Sequence, residues 1–323
     1  MIWAVPPLVS VNVSSYLMKY KTNNYQYRSY KTVYTDGTVD GSTITTHNND
    51  CSECDIRVTH VPARDWPKGS KRPIFRERSA YPKYAEEEEY NIHGPEYLVS
   101  NIDSSIYNWP AMPPFFYIDQ VEHTYGYTLG SYGIQNERQL GMGESTCRAV
   151  FASTPAYAGG DAHMNVRTIM EIAMERCETA RCAIILMGDL AMEYGFYGAG
   201  DPSEPVESQQ NEAGEALTVS DPHETWMFHV MPDDSGTSAI WVAQRVPDDH
   251  ITAVANQWVI TSVNLNDTQN FMGSSNIFDQ AIKNKLWDPT SGEPFSFAKV
   301  RSVCNIDSVS SYCISYSCLC SCL

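Results

Sequence analysis

The chain has 323 residues, 42% of them apolar, enough for one large domain or two ordinary ones with an ample core. Its formal net charge of −17 at pH 7 would be repelled by phosphate and anionic lipid, which argues against nucleic acid or a membrane surface as partner. No apolar run reaches the roughly 18–20 residues that span a bilayer, and the one dense acidic run, Glu86 to Glu89, reads as a solvated face.

Residues 1–31 are rich in Tyr, Asn, Ser and Lys and have no clear period. The first twenty residues are mildly apolar, lack a basic start and are interrupted by Pro6-Pro7. They make a weak signal peptide, so the compartment stays open between cytoplasmic and lysosomal or secretory. From Thr32 to Thr46, β-branched residues flank turns at Asp36-Gly37 and Asp40-Gly41-Ser42, the pattern of a hairpin. Residues 55–120, rich in Pro and Tyr, read as long loops and short strands. Tyr125 to Ser145 reads as two strands joined by a turn at Gly133-Ile134-Gln135-Asn136-Glu137.

Helical period appears between Asn165 and Tyr194. Ala180, Ala183, Ile184, Met187, Leu190, Ala191 and Tyr194 keep the i, i+3, i+4, i+7 spacing, with Gly195 as C-cap and a preceding helix carrying Ile169, Ile172 and Ala173. Gly214 to Asn256 holds four apolar runs. Asp221-Pro222, Pro232-Asp233-Asp234-Ser235-Gly236 and Pro247-Asp248-Asp249 separate them, as in an antiparallel meander. Phe271 to Leu286 reads as a short helix. Strands, then a helix pair, then antiparallel strands predict an α+β fold.

Ten cysteines are present, five of them in the last twenty residues (Cys304, Cys313, Cys318, Cys320, Cys322). The remainder shows no disulfide framework. Cys51-Ser-Glu-Cys54 has no second pair and no nearby histidine pair for zinc. That spacing gives no reason to expect a metal cofactor. Glycosylation sequons at Asn12 and Asn266 are a number that chance often supplies in a chain this long.

Several stretches occur in order: Asp40-Gly41-Ser42-Thr43-Ile44 with His47-Asn48-Asn49-Asp50; Val61-Pro62-Ala63 with Gly69-Ser70-Lys71-Arg72-Pro73; Tyr132 to Glu137 through Gly143-Glu144-Ser145; Ala216 to Pro222; and Val242 to His250 with Asn270 to Asn276. From Thr32 to Val303 the chain resembles the PepD-type cysteine dipeptidases of the N-terminal-nucleophile (Ntn) hydrolases, to which secernins are related. The resemblance implies a four-layer αββα sandwich, two facing antiparallel sheets flanked by helices, and cleavage of dipeptides by an N-terminal Cys. The chain's own α-amine, with a pKa near neutrality, would take the thiol proton. The tetrahedral oxyanion needs donors already in place, worth roughly 3 kcal/mol each. A thioester then forms and water hydrolyses it.

By the same resemblance Asp50 would hold the thiol or the α-ammonium, and Asn136 and Asn256 would line the oxyanion hole or hold the substrate carbonyl. Each has a plainer reading: an Asx-turn for Asp50, turn or strand-end hydrogen bonds for the two asparagines. His47 stands where many relatives have Arg. Counting back along the first strand puts the nucleophile near Arg28, but no Cys lies between Met1 and Asn49. Cys51 falls beyond the hairpin; Ser29 or Thr32 could attack only after cleavage.

The expected organisation is an atypical extension over 1–31, a truncated Ntn-hydrolase dipeptidase-like domain over 32–303, and a Cys- and Ser-rich tail over 304–323. Both ends read as sequence joined to a family core, as in a mis-spliced or truncated gene model or a degenerate copy. The expected function is a dipeptidase by descent, acting on small peptides. The alternatives are an inactive Ntn-fold remnant or binding protein, and an amidase of non-peptide substrates. Assembly into a homo-oligomer stays open.

Overall fold

The structure, a computed structural model, describes residues 32–33, 42–49, 54–76, 78, 80–108 and 110–301. β1 (Thr32–Val33) pairs antiparallel with β2 (Ile44–Thr45), Thr32 opposite Thr45. The expected hairpin is present; its turn lies outside the described residues. The Pro- and Tyr-rich stretch holds β3 (Thr59–Val61), β4 (Arg64–Asp65), β5 (Lys71–Phe75), β6 (Pro114–Asp119) and β7 (His123–Thr124). β8 (Tyr127–Leu129), β9 (Gly133–Asn136) and β10 (Gly141–Cys147) follow. Then come α1 (Val166–Arg176), α2 (Ala180–Tyr194) and the single turn α3 (Val206–Gln209). The last part contains β11 (Gly214–Ser220), β12 (Thr225–Pro232), β13 (Ala239–Arg245), β14 (Ile251–Thr252), β15 (Phe271–Gly273), α4 (Ile277–Lys283) and α5 (Phe297–Arg301).

Among the described residues the centre is an eight-stranded antiparallel sheet, ordered β15-β13-β12-β11-β10-β9-β8-β3. Every residue of β11 and β12 is buried, because both faces of the sheet are covered. On one face Leu217, Val219, Trp226, Phe228, Val230 and Trp241 pack under α1 and α2. On the other, Ala216, Met227, Met231, Ile240 and Val242 pack under Ile277, Ala281 and Phe297. β2 lies on this second face, where Thr45 Oγ1 is 3.1 Å from Thr218 Oγ1. It belongs to a three-stranded sheet, β14-β1-β2. The fold is α+β, with α1 and α2 over one face of a large antiparallel sheet and β2 together with α4 and α5 over the other, an arrangement compatible with a sandwich.

The helix pair forms where the period predicts it. Asn165 caps α1 by accepting from Thr168 N, and Thr179 caps α2 by accepting from Cys182 N. The stripe from Ala180 to Ala191 is buried. Gly195 follows α2 at φ 73°, a left-handed value that suits glycine.

Five expectations change. Gly133 to Asn136 is the strand β9, and the chain reverses on either side of it. Gly133 is a point of close packing: a Cβ there would come within 2.9 Å of Met174 Cγ. The fourth run of the meander leaves the sheet, and Ile251 pairs with Val33 of β1 instead. Phe271 to Leu286 starts as the edge strand β15 before α4 begins. Three disulfide-bonded positions escaped the spacing argument: Cys177 is bridged to Cys182, and Cys54 is also in a disulfide. The fifth concerns Glu86, which is fully buried although it heads the acidic run.

Glu86 belongs to a buried charge cluster that ties the irregular stretch to α1. Its carboxylate contacts His93 Nδ1 and accepts from Asn91 Nδ2 at 2.8 Å and Ile92 N at 3.0 Å. His93 Nε2 lies 3.1 Å from Glu171 Oε2, and Lys83 Nζ donates to Glu171 Oε1 at 2.8 Å. Arg72 donates to Glu175 Oε1 at 2.9 Å. Three cations face three carboxylates, and the pairing makes their burial tolerable.

Candidate functional site

Two hollows are prominent on the described surface. The smaller, about 230 Å³, lies beside Trp66 and Tyr125 and reaches Glu175, whose carboxylate is already engaged by Arg72. The larger, about 690 Å³, lies between β2 and the β8–β10 edge of the large sheet. Thr43, Thr45, Thr46 and His47 form one wall; Ser131, Tyr132, Gln135, Gln139 and Met142 form the other. Asn49 spans the mouth, its Nδ2 donating to Ser131 Oγ at 2.6 Å.

The turn at Asp221 fixes the first wall. Thr43 Oγ1 donates to Asp221 O at 2.9 Å, while the Asp221 carboxylate accepts from Ala180 N at 2.8 Å and from His223 N at 2.7 Å. One aspartate therefore closes the β11–β12 turn, adds a negative charge at the N-terminus of α2 and carries the cavity wall.

Behind His47 stands Glu144 of β10, which is fully buried. Its Oε1 accepts from Thr146 Oγ1 at 3.0 Å, and its Oε2 lies 3.8 Å from His47 Nε2. The His47 ring sits 5.3 Å from Tyr132, and the Arg167 guanidinium lies 5.0 Å over Tyr132. Burial, reinforced by the charge of Glu144, pushes the Tyr132 phenol well above its ordinary range. The cavity thus has a mixed lining, in which hydroxyl and amide groups and an imidazole–carboxylate pair are set among apolar side chains such as Ile44, Ile56, Val58, Ile134 and Met142. Glu144 and Tyr132 were visible in the sequence as parts of a motif but were assigned no role. The available signal was a charged residue inside an otherwise uncharged strand.

Of the three residues singled out from sequence, the two that are described, Asn136 and Asn256, have separate sets of hydrogen-bond partners. Asp50 lies outside the described residues. Asn136 is buried, and its amide is saturated. Nδ2 donates to Met174 O at 2.9 Å and to Cys177 O at 2.8 Å, while Oδ1 accepts from Arg138 N and Leu140 N, both at 3.0 Å. In this arrangement it clamps the end of α1 to the β9–β10 turn and has no donor left for a carbonyl. Asn256 is exposed, in the left-handed region at φ 55°. Its N–H donates to Ser145 Oγ at 2.7 Å and its Nδ2 to Thr146 O at 2.8 Å. It sits on the strand that carries Glu144 and keeps one amide proton unused among the described residues.

The thiols separate cleanly. Cys147 is free but buried, and burial, with the charges of Glu215 and Glu144, pushes its thiol well above the ordinary range. Cys54, Cys177 and Cys182 are in disulfides. Among the described residues no three His, Cys, Asp or Glu side chains are grouped to hold a metal ion, and no helix is long and apolar enough to cross a membrane.

Two curated relatives carry the name "Probable dipeptidase". The protein from Latilactobacillus sakei is 27% identical over 133 residues, 41% of this chain and 24% of the relative. That from Salmonella dublin is 26% identical over 203 residues, 61% of this chain and 41% of the relative. The chain spans less than half the length of either. Residues 133–315 match Peptidase family C69, a match that includes β9, the Glu144 strand, both long helices and the whole meander. With more than half of its length so matched, the chain belongs to peptidase family C69.

Proposed function

We propose that the chain carries a short-peptide site of the dipeptidase kind, built on the Ntn-hydrolase plan, in the cavity beside β2. The observation that supports this most is the lining. A dipeptide presents an amide, an ammonium and a carboxylate, each of which costs free energy if buried without a partner. In a space of about 690 Å³ the amides of Gln135 and Gln139 supply such partners, and the hydroxyl oxygens of Thr43 and Thr45, which already bond to Asp221 and Thr218, can still accept. The strand pairing adds support. Thr32 lies beside Thr45, so the chain enters β1 at the end from which β2 runs on to Thr46 and His47 along the cavity. On the Ntn plan the attacking first residue stands at the head of that strand.

No Cys among the described residues is placed to act as the thioester nucleophile. No Cys occurs between Met1 and Asn49. Cys147 is sealed in the core, and Cys54, Cys177 and Cys182 are oxidised. On this reading the site binds dipeptides, and the described thiols do not cleave them. Of the two asparagines, Asn256 alone keeps an amide proton to offer a substrate carbonyl.

Incubation of the purified chain with a mixed dipeptide set, with and without a thiol alkylator, together with calorimetric titration of the same peptides, tests both halves. The expected result is saturable binding and no turnover. Hydrolysis that an alkylator abolishes would show that a working thiol is present. A folded chain that neither binds nor cleaves dipeptides would remove the cavity from consideration as a peptide site.

A further inference from the structure

Away from the cavity, the loop before β15 carries chemistry that a peptide site does not use. Asn266-Asp267-Thr268 is an acceptor triplet for N-linked glycans. The sequence alone could not distinguish it from a chance triplet; the structure adds three observations.

First, the loop is held while its acceptor is presented. Asp267 N donates to Asn264 O at 3.0 Å and Phe271 N to Asp267 O at 2.8 Å. The Arg181 guanidinium donates to Thr268 O at 3.1 Å and Gln269 O at 2.8 Å. Leu265 packs into the apolar cluster over the sheet. Asn266 and Thr268 are nevertheless exposed; the Asn266 backbone N–H donates to Asn264 Oδ1 at 3.2 Å, but neither its side-chain amide nor the Thr268 hydroxyl makes a hydrogen bond among the described residues. A bulky group on Asn266 would displace nothing.

Second, the chain is oxidised. Cys177 and Cys182 are bridged across the α1–α2 junction, and Cys54 is in a further disulfide. Structural disulfides persist in secretory and extracellular compartments and are rare in the cytosol. Third, Asn266 stands beside the edge of the large sheet. β15 is its last strand among the described residues, and an unprotected edge invites pairing with another chain. A glycan on this loop would cover that edge.

We propose that Asn266 is an N-glycosylation site, filled in the same oxidising lumen in which Cys177 and Cys182 are joined. The bond formed links Asn266 Nδ2 to the anomeric carbon of a lipid-pyrophosphate-linked oligosaccharide. The anomeric carbon–oxygen bond breaks, the lipid pyrophosphate leaves with the electron pair, and the amide proton passes to a base of the transferase. The two cysteine thiols give up two electrons and two protons to a disulfide oxidant of that lumen. This assignment does not depend on the peptide site.

The test uses full-length chain isolated from the cells that make it, with free thiols alkylated before lysis. Peptides are mapped by mass spectrometry before and after peptide N-glycosidase treatment in oxygen-18 water. The peptide holding Asn266 is expected to be missing at its bare mass before treatment and to appear afterwards with one oxygen-18 label. Cys177 and Cys182 are expected to resist alkylation. Asn266→Gln and Thr268→Ala should each remove one glycan from the intact mass, the second without touching the acceptor asparagine. Recovery of the Asn266 peptide unmodified would overturn the proposal. So would an intact mass that neither substitution changes, because any glycan present would then belong to Asn12.

Discussion

Asn136 and Asn256 share a residue type but differ in what their neighbours leave free. Four hydrogen bonds hold Asn136 between the carbonyls ending α1 and the amides of the β9–β10 turn. Asn136→Ala would strand two buried carbonyls and two amides, so a loss of about 2–4 kcal/mol is expected. Denaturant unfolding should show it, with dipeptide affinity per folded molecule unchanged. An affinity loss at unchanged stability would instead make Asn136 a binding residue. The sequence placed Asn136 in a turn, whereas it ends β9, and it placed Asn256 after a strand, but it could not show saturation. That depends on Met174 and Cys177, which arrive from a helix some forty residues away. For the same reason Glu144 went unassigned: a carboxylate on a strand gains meaning only when a histidine from another strand end is brought against it. Asp221 was legible as a turn residue, but its hold on the N-terminus of α2 and on the cavity wall was not.

Elements with a strong period were readable, and those defined by partners were not. The α2 stripe and the first three meander strands follow from spacing and turn residues alone. β9 was hidden because its glycine signals close packing as readily as a turn. β14 was misplaced because nothing local says which sheet a two-residue strand will join. Gly188 in α2 poses the same problem. Helix propensity favours Gly188→Ala by about 1 kcal/mol. Yet the added Cβ would come within 2.3 Å of Trp241 Cε2 and 2.5 Å of its Nε1. That indole is buried against Phe228 and cannot swing away. Overpacking costs about 1–3 kcal/mol, which exceeds the propensity gain, so a net loss of stability is expected. A thermal melt of Gly188→Ala at or above the wild-type midpoint would show that α2 can move off β13 without cost.

The molecule as a whole is strongly acidic, but the balanced cluster at its centre governs how stability depends on pH. His93 is walled by Glu86 on one ring nitrogen and Glu171 on the other, with Tyr84 stacked at 4.0 Å and Phe75 and Tyr97 closing the remaining sides. Lys83 and Arg72 reach the same Glu171 carboxylate. Burial alone would depress the imidazole, but the two carboxylates outweigh it and raise the pKa from 6.5 to about 9. A pKa raised on folding means that the native state holds the proton more tightly than the unfolded chain. The stabilisation is complete below pH 6.5 and is lost as pH rises towards 9, a change of about 3 kcal/mol. On the acid side the sign reverses. His229 is buried between Trp258 and Phe297, and burial pushes its pKa from 6.5 down to about 3. The unfolded chain therefore takes that proton first as pH falls below 6.5. Burial would raise the Glu171 carboxyl, but Lys83, His93 and Arg72 hold it well below its ordinary range, so protonation in acid costs further stability. Together these groups predict a stability maximum close to pH 6.5. Thermal melts at fixed ionic strength from pH 4 to 10 should trace that dome. His93→Gln should melt lower at pH 6.5 and lose the fall between pH 6.5 and 9, while keeping the acid limb. A wild-type midpoint that stays level from pH 7 to 9 would mean that His93 is not charged in the native cluster.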